Sequence, residues 1–526
     1  MKMIGGGMHT LTIYLLKEGS RPAQSMKKGM KPTSLTDPRV KLPERFLLFE
    51  HRRKSNIQWW IDYLGLSDQD RQNQLEGALL FVPIDNRWLC VTFGSGYWNL
   101  LDNHYEYDFG LICCLNSIDP DKLKSIDSVQ PASAKRSRVQ VPKDSELDVF
   151  GLLGNESLLN SASGNVLPKY EAYFKTITGS APVRIQTDCS AIDLAELCRV
   201  LVNLYESREY LKRFPSLRDI SPIKDPARKA ELDDKLLAKF RDRDAGFVLS
   251  VPSIVDYGQF SGVAFTEKST YCMPLTIDSL WKELGAKGKT ASIGDLKNKW
   301  KMRLVDDNNE VRFGPYSLYK CLSWECEEKG CSYQFCDGMW FQVKKDYLDQ
   351  LNAEVHELFE QSSFPDKAAN QDEGAYNEFV AKGDSGFVLL DRRMVTIEGY
   401  GKFEACDLYR EAGCRAELVH VKCGTDSARL SHLFNQGGNS AEILISSQAA
   451  RNDFKVRMPE GRYTNSCLAR IEEKQFKILF VILTQKDITQ KESNLPFFSR
   501  VSLRYTARRL RAMGVGLAVQ YARDIR

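Results

Sequence analysis

Residues 402–423 read KFEACDLYREAGCRAELVHVKC, and the fold predicted for the last third of the chain rests on them. Two strand-like runs, Lys402–Leu408 and Glu417–Cys423, flank a polar stretch that contains a glycine, which is typical of two strands joined by a turn. Two adjacent strands of this kind would bring Asp407 close to Lys422. The segment therefore predicts an acid beside a lysine on neighbouring strands.

The second of these runs has a defined inward and outward pattern. Side chains alternate between the two faces of a strand, so Leu418, His420 and Lys422 share one face. Val419 and Val421 share the other face. A histidine and a lysine are therefore expected beside the acid, at the ends of strands and ahead of a helix.

The surrounding sequence extends this pair into the order α-β-β-β-α-β-α-β. The predicted elements are a helix over about 371–381, strands over Phe387–Asp391, Lys402–Leu408 and Glu417–Cys423, a helical stretch around Leu430–Gln436 that continues beyond a break at Gly437-Gly438, a strand over Lys477–Thr484, a helix over Ser499–Met513 and a strand over Val515–Tyr521. Together they predict an α/β unit over residues 366–526.

Asp407 and Lys422 are the residue types that metal-assisted phosphodiester cleavage requires. A carboxylate holds Mg²⁺, which polarises the phosphate and lowers the pKa of a bound water. A lysine orients that water or offsets charge in the transition state. We assign Asp407 as the main metal ligand, Glu404 or Glu373 as the second carboxylate, and Lys422 as the orienting group. The structural alternative makes Asp407 a turn cap, Lys422 a strand-edge lysine and His432 a core histidine.

Further polar residues complete the predicted site. His420, Ser431, His432 and Gln436 are expected to line it or to contact phosphate. Histidine can ligate a metal, although it is not a preferred ligand of Mg²⁺. Glu417 falls on the opposite strand face by parity and is a poor substitute for a missing acid.

The order of elements resembles the restriction-endonuclease-like fold, whose core runs α-β-β-β-α-β. The usual motif of that fold is an acid, a spacer and then Asp/Glu-x-Lys. In this chain His420 stands two positions before Lys422, where the motif has an acid. The resemblance implies a nuclease, and the departure at His420 leaves a degenerate, non-catalytic domain as the alternative.

Nearly the whole chain also resembles a sporadically distributed bacterial protein family of unknown function. The segments that carry this resemblance most specifically are Glu404–Leu408, His420-Val421-Lys422, Leu430–Gly437 and Leu495–Ser499. The resemblance implies a patchy distribution, often near mobile elements or phage-defence genes. It implies no settled activity.

The last predicted helix carries arginines at i, i+4, i+8 and i+11, which is one helical face. We name this set the arginine face: Arg500, Arg504, Arg508 and Arg511. No acidic residue lies between Ser499 and Gly516, so ion pairs within the helix are impossible. Such a face suits a phosphate backbone, and nucleic acid is the expected partner, DNA in preference to RNA. A solvated face with ion pairs is the alternative.

The composition sets the broad class. The chain has 526 residues, of which 43% are hydrophobic and 27% charged, so wholesale disorder is excluded and a multidomain α+β protein is predicted. Units over 8–117 and 148–365, the second with a β-meander over 311–343, are expected before the last unit, with a surface connection over 118–147. A net charge of +4 argues against a tail-driven nucleic-acid binder.

Two further features bear on location. No apolar run reaches the roughly 18 residues that a membrane helix needs. Fourteen cysteines without an export signal predict a cytoplasmic protein. The leading hypothesis is therefore a cytoplasmic, Mg²⁺-dependent nuclease or nuclease-like effector. Its rivals are a nucleic-acid-binding module without catalysis and an interaction or scaffold protein.

Overall fold

A computed structural model describes residues 8–33, 42–54, 74–145, 157–265, 275–307, 310–397, 401–459 and 463–525. The strands in these ranges are β1 (His9–Leu15), β2 (Lys31–Thr33), β3 (Leu47–Lys54), β4 (Gln74–Ile84), β5 (Arg87–Gly94), β6 (Ile118–Gln130), β7 (Lys135–Ser145), β8 (Leu158–Val166), β9 (Thr176–Gly179), β10 (Val183–Thr187), β11 (Ile220–Pro222), β12 (Val248–Leu249), β13 (Gly262–Ala264), β14 (Lys301–Val305), β15 (Val311–Ser317), β16 (Leu322–Glu328), β17 (Cys331–Cys336), β18 (Met339–Val343), β19 (Val388–Leu389), β20 (Met394–Ile397), β21 (Gly401–Glu404), β22 (Leu408–Ala412), β23 (Arg415–Cys423), β24 (Phe476–Thr484) and β25 (Gly516–Arg523).

The α-helices in the same ranges are α1 (Phe109–Ser117), α2 (Leu194–Glu206), α3 (Tyr210–Arg213), α4 (Pro226–Arg241), α5 (Ile277–Leu284), α6 (Ala286–Lys289), α7 (Leu318–Cys321), α8 (Lys345–His356), α9 (Glu373–Gly383), α10 (Ser427–Ser446), α11 (Gln448–Arg457), α12 (Cys467–Glu472) and α13 (Phe497–Ala512). Helices and several separate sheets occur together, which confirms the prediction of a multidomain α+β protein. Within the described ranges, none of the helices combines the length and the apolar character that crossing a bilayer would require.

A ten-stranded antiparallel sheet occupies the first part of the chain, in the order β2-β3-β4-β5-β1-β10-β9-β8-β6-β7. The expected surface connection over 118–147 is wrong, because these residues supply β6 and β7, and the boundary expected at residue 117 falls inside this sheet. The polar composition of residues 118–145 did not indicate strands. The buried positions Leu123, Ile126 and Val129 recur every third residue, because register shifts interrupt the normal alternation of β6.

The middle of the chain forms two smaller sheets, with the orders β11-β18-β17-β16-β12 and β13-β14-β15. Strands β16, β17 and β18 pair antiparallel in sequence order, so most of the β-meander expected over 311–343 is present. Strand β15 belongs instead to the three-stranded sheet.

The last part of the chain forms a mixed sheet in the order β19-β22-β23-β24-β25. The first three strands are antiparallel, and β23, β24 and β25 are parallel. Central strand β24 is apolar throughout because both of its faces are covered, as is usual for parallel strands. The hairpin β20-β21 is inserted between β19 and β22, and helices α10–α12 connect β23 to β24.

Helix α10 continues through Gly437-Gly438 without the expected break. A Cβ atom at Gly437 would lie 2.6 Å from the ring of Phe480 in β24. The missing side chain therefore lets the helix backbone approach the sheet closely, and tertiary packing outweighs the weak helix propensity of glycine.

The segment that links α8 to α9 lies along the outer edge of β25. The Val519 N–H donates to the carbonyl of Leu358 at 2.8 Å, and the Lys367 N–H donates to the carbonyl of Arg523, also at 2.8 Å. Lys367 forms an ion pair of 3.1 Å with Asp524, and their side chains are 2% and 1% exposed. We call residues 358–367 the edge segment, because they cover the last strand of the sheet.

Candidate metal centre

Three carboxylates meet where the strands β19, β21 and β22 end or begin. Asp391 lies two residues after β19, Glu404 ends β21, and Asp407 immediately precedes β22. One carboxylate oxygen from each of these residues lies within 4.8 Å of the other two. We call these three residues the acidic site. In the part of the chain that the structure describes, no other group of three such ligands is found.

Asp407 is the most buried member of the acidic site, at 7% exposure. Its Oδ2 accepts a hydrogen bond of 2.6 Å from the Val421 N–H, just beyond the point where the β22–β23 ladder begins at Leu408. Burial raises the pKa of Asp407 to about 8, the Val421 N–H opposes this shift, and the charges of nearby carboxylates add to it. Those neighbours include both other members of the acidic site.

Glu404 is held at both of its oxygens. Oε1 accepts from the Arg392 N–H at 2.6 Å, and Oε2 accepts from the Gln436 side-chain amide at 2.9 Å. Arg392 adopts a φ of 61°, a left-handed conformation that costs a non-glycine residue about 1–2 kcal/mol. This tight turn after Asp391 aims the amide at Glu404. Gln436, which we expected near the site, does contact it.

Glu373 and Lys422 form a second part of the site. The Lys422 ammonium lies 2.8 Å from Glu373 Oε1, and the Cys423 N–H donates to Glu373 Oε2 at 3.0 Å. N–H groups two residues apart on a strand point to the same edge. Asp407 and Glu373 therefore occupy successive positions along one edge of β23, on the amides of Val421 and Cys423.

The carboxylates that lie together differ in one member from the predicted metal ligands. Glu373, proposed as a metal ligand, is instead paired with Lys422, and Asp391 completes the acidic site. The sequence signal for Asp391 was its place at the end of the apolar run 387–391. Whether it lay beside Asp407 depended on how the strands pair, which this run does not reveal.

His420 does not reach the surface of the site. It is 0% exposed, and its ring centroid lies 6.0 Å from that of Phe480. Neither ring nitrogen has a hydrogen-bond partner in the described structure, and burial lowers the pKa of His420 to about 3. A neutral histidine inside the apolar core cannot contact phosphate, so this expectation is corrected.

Ser431 and His432 lie on α10, upstream of Gln436. Ser431 is buried at 6% exposure, and His432 is exposed. Among the described residues, neither is hydrogen-bonded to a carboxylate of the acidic site. The roles proposed for these two residues therefore remain predictions, with less structural support than that of Gln436.

The arginine face points mostly into the protein. Arg500 has a side chain that is 2% exposed, donates to Asn352 at 2.7 Å and pairs with Glu327. Arg504, at 7% exposure, donates to the hydroxyl of Tyr347 and stacks over its ring. Their partners belong to β16 and α8, far from α13 in the sequence.

The outer half of the face is more accessible. Arg508 pairs with Glu354 of α8 at 2.8 Å, and its side chain is 57% exposed. Arg511 is exposed. Three of the four arginines thus join α13 to the middle of the chain. The expected phosphate contact is corrected for the buried Arg500 and Arg504, and it remains a prediction for the exposed Arg508 and Arg511. The sequence of the helix alone does not show the partners of these arginines, because other elements supply them.

Fold and site define the class: a multidomain α+β protein with a carboxylate cluster at the end of a mixed sheet. The chain matches a protein family described as "Family of unknown function (DUF6119)" over residues 11–523, and it therefore belongs to that family. No curated protein and no solved structure matches it. The expectation of a family of unknown function is confirmed.

Proposed function

We propose that the last unit of the chain is a Mg²⁺-dependent phosphodiesterase that cuts nucleic acid, DNA in preference to RNA. The observation that carries this proposal is the acidic site, with its three carboxylates within 4.8 Å of one another. We further propose that the protein acts in the cytoplasm of bacteria as an effector in phage defence or in mobile-element biology.

The topology around the site supports the proposal. Leaving out the inserted hairpin β20-β21, the chain runs α9-β19-β22-β23-α10-β24, with three antiparallel strands followed by a parallel one. This order is similar to the α-β-β-β-α-β order of the restriction-endonuclease-like fold. Asp407 precedes the second of these strands and Lys422 lies on the third, which correspond to the first acid and the lysine of that fold's motif, whereas His420 stands in place of its second acid.

The chemistry of the donors also fits the metal. Asp391, Glu404 and Asp407 offer only oxygen atoms, which Mg²⁺ and other hard cations prefer. No lysine or arginine forms a salt bridge with them in the described parts of the chain. When bound, a divalent cation would neutralise their mutual repulsion, polarise a phosphate oxygen and acidify a bound water.

Lys422 is the residue that would act on the substrate. Its ammonium is fixed by Glu373 at 2.8 Å on the strand edge that also holds Asp407, so it needs little reordering when substrate binds. A fixed cation there can orient a water molecule or offset the charge that develops on phosphate. Glu373 is then a positioning residue.

A non-catalytic role has its own support. Asp407, Glu404 and Glu373 each accept a backbone N–H, so all three also satisfy amides at strand ends and turns. A module with only this structural role needs no metal. A measurement of metal binding therefore distinguishes the phosphodiesterase from the non-catalytic module better than a measurement of stability does.

The test combines metal binding with cleavage. Purified full-length protein is titrated with Mn²⁺ by calorimetry and incubated with plasmid DNA or RNA in Mg²⁺, Mn²⁺ or EDTA. We expect Asp407→Asn to lose both metal binding and cleavage, and Lys422→Met to keep metal binding but lose cleavage by about 100-fold or more. Glu378→Gln, an exposed acid on the same helix as Glu373, is the matched control and should behave as wild type.

Either of two results would count against the enzyme. Absence of both Mn²⁺ binding and cleavage in folded wild type would leave the non-catalytic module as the better description. Cleavage that persists in Asp407→Asn would point to a contaminating nuclease or to another site.

A further inference from the structure

A cavity of about 540 Å³ with charged and aromatic residues in its lining lies between the ten-stranded sheet and the middle of the chain, and none of the acidic-site residues lines it. Lys17 and Arg87 reach it from the first sheet, while Lys229 of α4 and Trp340 of β18 come from the other side. This volume is in the range of small-molecule sites, which often lie between domains. A ligand here would contact both units.

Several cations of this cavity lie outside ion-pair distance of an acid. Three lysines of the lining form no salt bridge within the described ranges: Lys17, Lys224 and Lys229. The Lys17 ammonium donates to the neutral side chain of Asn103 at 2.9 Å and lies 5.1 Å from the ring centroid of Tyr107. The Lys224 ammonium lies 4.3 Å from the ring centroid of Tyr205. Both therefore hold positive charge over aromatic faces.

The inner carboxylates of the cavity already have partners. Glu106 pairs with Arg87 at 2.9 Å. Asp233 pairs with Lys297 at 2.6 Å and also accepts from the indole N–H of Trp340. The remaining acids complete the lining: Asp108, which accepts from the Tyr205 hydroxyl at 2.9 Å, and the exposed Glu18 and Glu206.

Lys17 is buried in the cavity among charges of both signs. Burial lowers the pKa of Lys17 to about 8; Glu106 opposes this shift, and Lys297, Lys229 and Lys320 add to it. Lysines that crowd one another in this way are relieved by an anion placed between them. The exposed acids at the rim are screened by solvent and weaken this effect less than buried acids would.

We infer that this cavity binds a small phosphate-bearing anion of about mononucleotide size. Lysine is a usual phosphate ligand because its ammonium acts as a point charge with three donors. Lys17 and Lys229 approach from opposite units and would contact the phosphate, with Lys224 at the opening. The site is independent of the acidic site and does not require the protein to be a nuclease.

Binding is tested on the full chain in EDTA, so that the acidic site holds no metal. The probes are pyrophosphate, AMP and ATP, with adenosine as the probe without phosphate, and the readouts are calorimetry and the midpoint of thermal unfolding. At least one phosphate probe should bind and raise the midpoint, and adenosine should not. Lys17→Gln and Lys229→Gln should each weaken that binding by about tenfold or more.

Two matched controls keep the result specific. Lys212→Gln removes an exposed lysine outside the cavity, and Asp407→Asn alters only the acidic site, so both should bind as wild type. The inference is overturned if none of the phosphate probes binds folded wild type. It is equally overturned if binding survives in the double variant of Lys17 and Lys229, because the phosphate would then be bound elsewhere.

Discussion

The arginine face and the acidic site are both clusters of like charge, but they differ in the partners that the fold brings to them. Arg500, Arg504 and Arg508 are matched by acceptors on β16 and α8. The acidic site has no cationic partner in the described residues, and burial, with a smaller contribution from the neighbouring carboxylates, raises the pKa of Asp407 to about 8. Folding thus pairs most of the arginines with acceptors, whereas it leaves the three carboxylates beside one another without a basic partner among the described residues.

The comparison shows how a charged cluster is best interpreted. A run of like charges in a sequence says nothing about the partners that folding brings to it. For the arginines, Glu327 and Glu354 arrive from more than 150 residues away. For the carboxylates, folding adds a third acid, Asp391, instead of a base.

The largest effect that separates the two clusters is expected at Arg500. Arg500→Ala removes a buried guanidinium from Asn352 and Glu327, and should lower the free energy of unfolding by about 3 kcal/mol, measured by chemical denaturation. Affinity for DNA, measured on folded protein, should stay unchanged. Loss of DNA affinity with no loss of stability would restore the arginine face as a nucleic-acid surface.

A smaller effect of opposite sign is expected at Asp407 in EDTA. The folded pKa is about 8 against an ordinary 3.8, so the protonated carboxyl stabilises the fold fully below about pH 4, and this contribution is lost as pH rises through 8. Asp407→Asn should therefore be more stable than wild type by about 2 kcal/mol near pH 9, and the difference should vanish near pH 4.

Added Mg²⁺ sharpens this measurement. A cation that binds the ionised carboxylates should stabilise wild type at alkaline pH and not the Asn variant, so the gap should narrow or reverse. Thermal unfolding midpoints of both proteins, across pH and with either EDTA or Mg²⁺, give the answer. If the gap is the same with and without Mg²⁺, Asp407 is a structural cap and the contrast with the arginine face is lost.

The smallest effect is expected at the outer half of the arginine face. Arg508→Ala removes a partly exposed ion pair with Glu354 and should cost about 0.5 kcal/mol, a loss that salt reduces. Arg511→Ala, the matched control on the same face, should change stability less than that. A clear loss of DNA affinity in these two variants, with Arg500→Ala unaffected, would confine a nucleic-acid contact to the exposed end of α13.

Much of the last unit could be predicted because its elements are marked locally. The apolar run of β24, strand β23 and helix α13 are visible as short patterns. The strand expected over Lys402–Leu408 is wrong, because β21 ends at Glu404 and pairs with β20, and β22, which pairs with β23, begins at Leu408. Strands β6 and β7 were not visible as short patterns, because register shifts spoil the alternation and polar residues fill the exposed positions. The pairing of an irregular strand depends on its neighbours in the sheet, and the local sequence pattern does not show which strands those are.

The candidate site was predictable to the extent that strand ends define it. Asp407 and Glu404 belong to the acidic site, Gln436 donates to Glu404, and Lys422 pairs with Glu373. His420 shares a strand face with Lys422, as parity requires. His420 is buried because α10 covers that face, whereas Lys422 lies near the end of the strand. The alternation of side chains along a strand gives the face of each residue but does not show which part of that face a helix covers.

The edge segment has a practical consequence for isolating the last unit. Its pairing with β25 occupies backbone groups that would otherwise form an open sheet edge, a template on which other chains can assemble. A fragment that begins at residue 366 would lose most of that cover, although it would keep Lys367, the ion-pair partner of Asp524. Shortened versions of this protein intended for crystals or assays should therefore begin upstream of Leu358, although the sequence places the more obvious boundary after it.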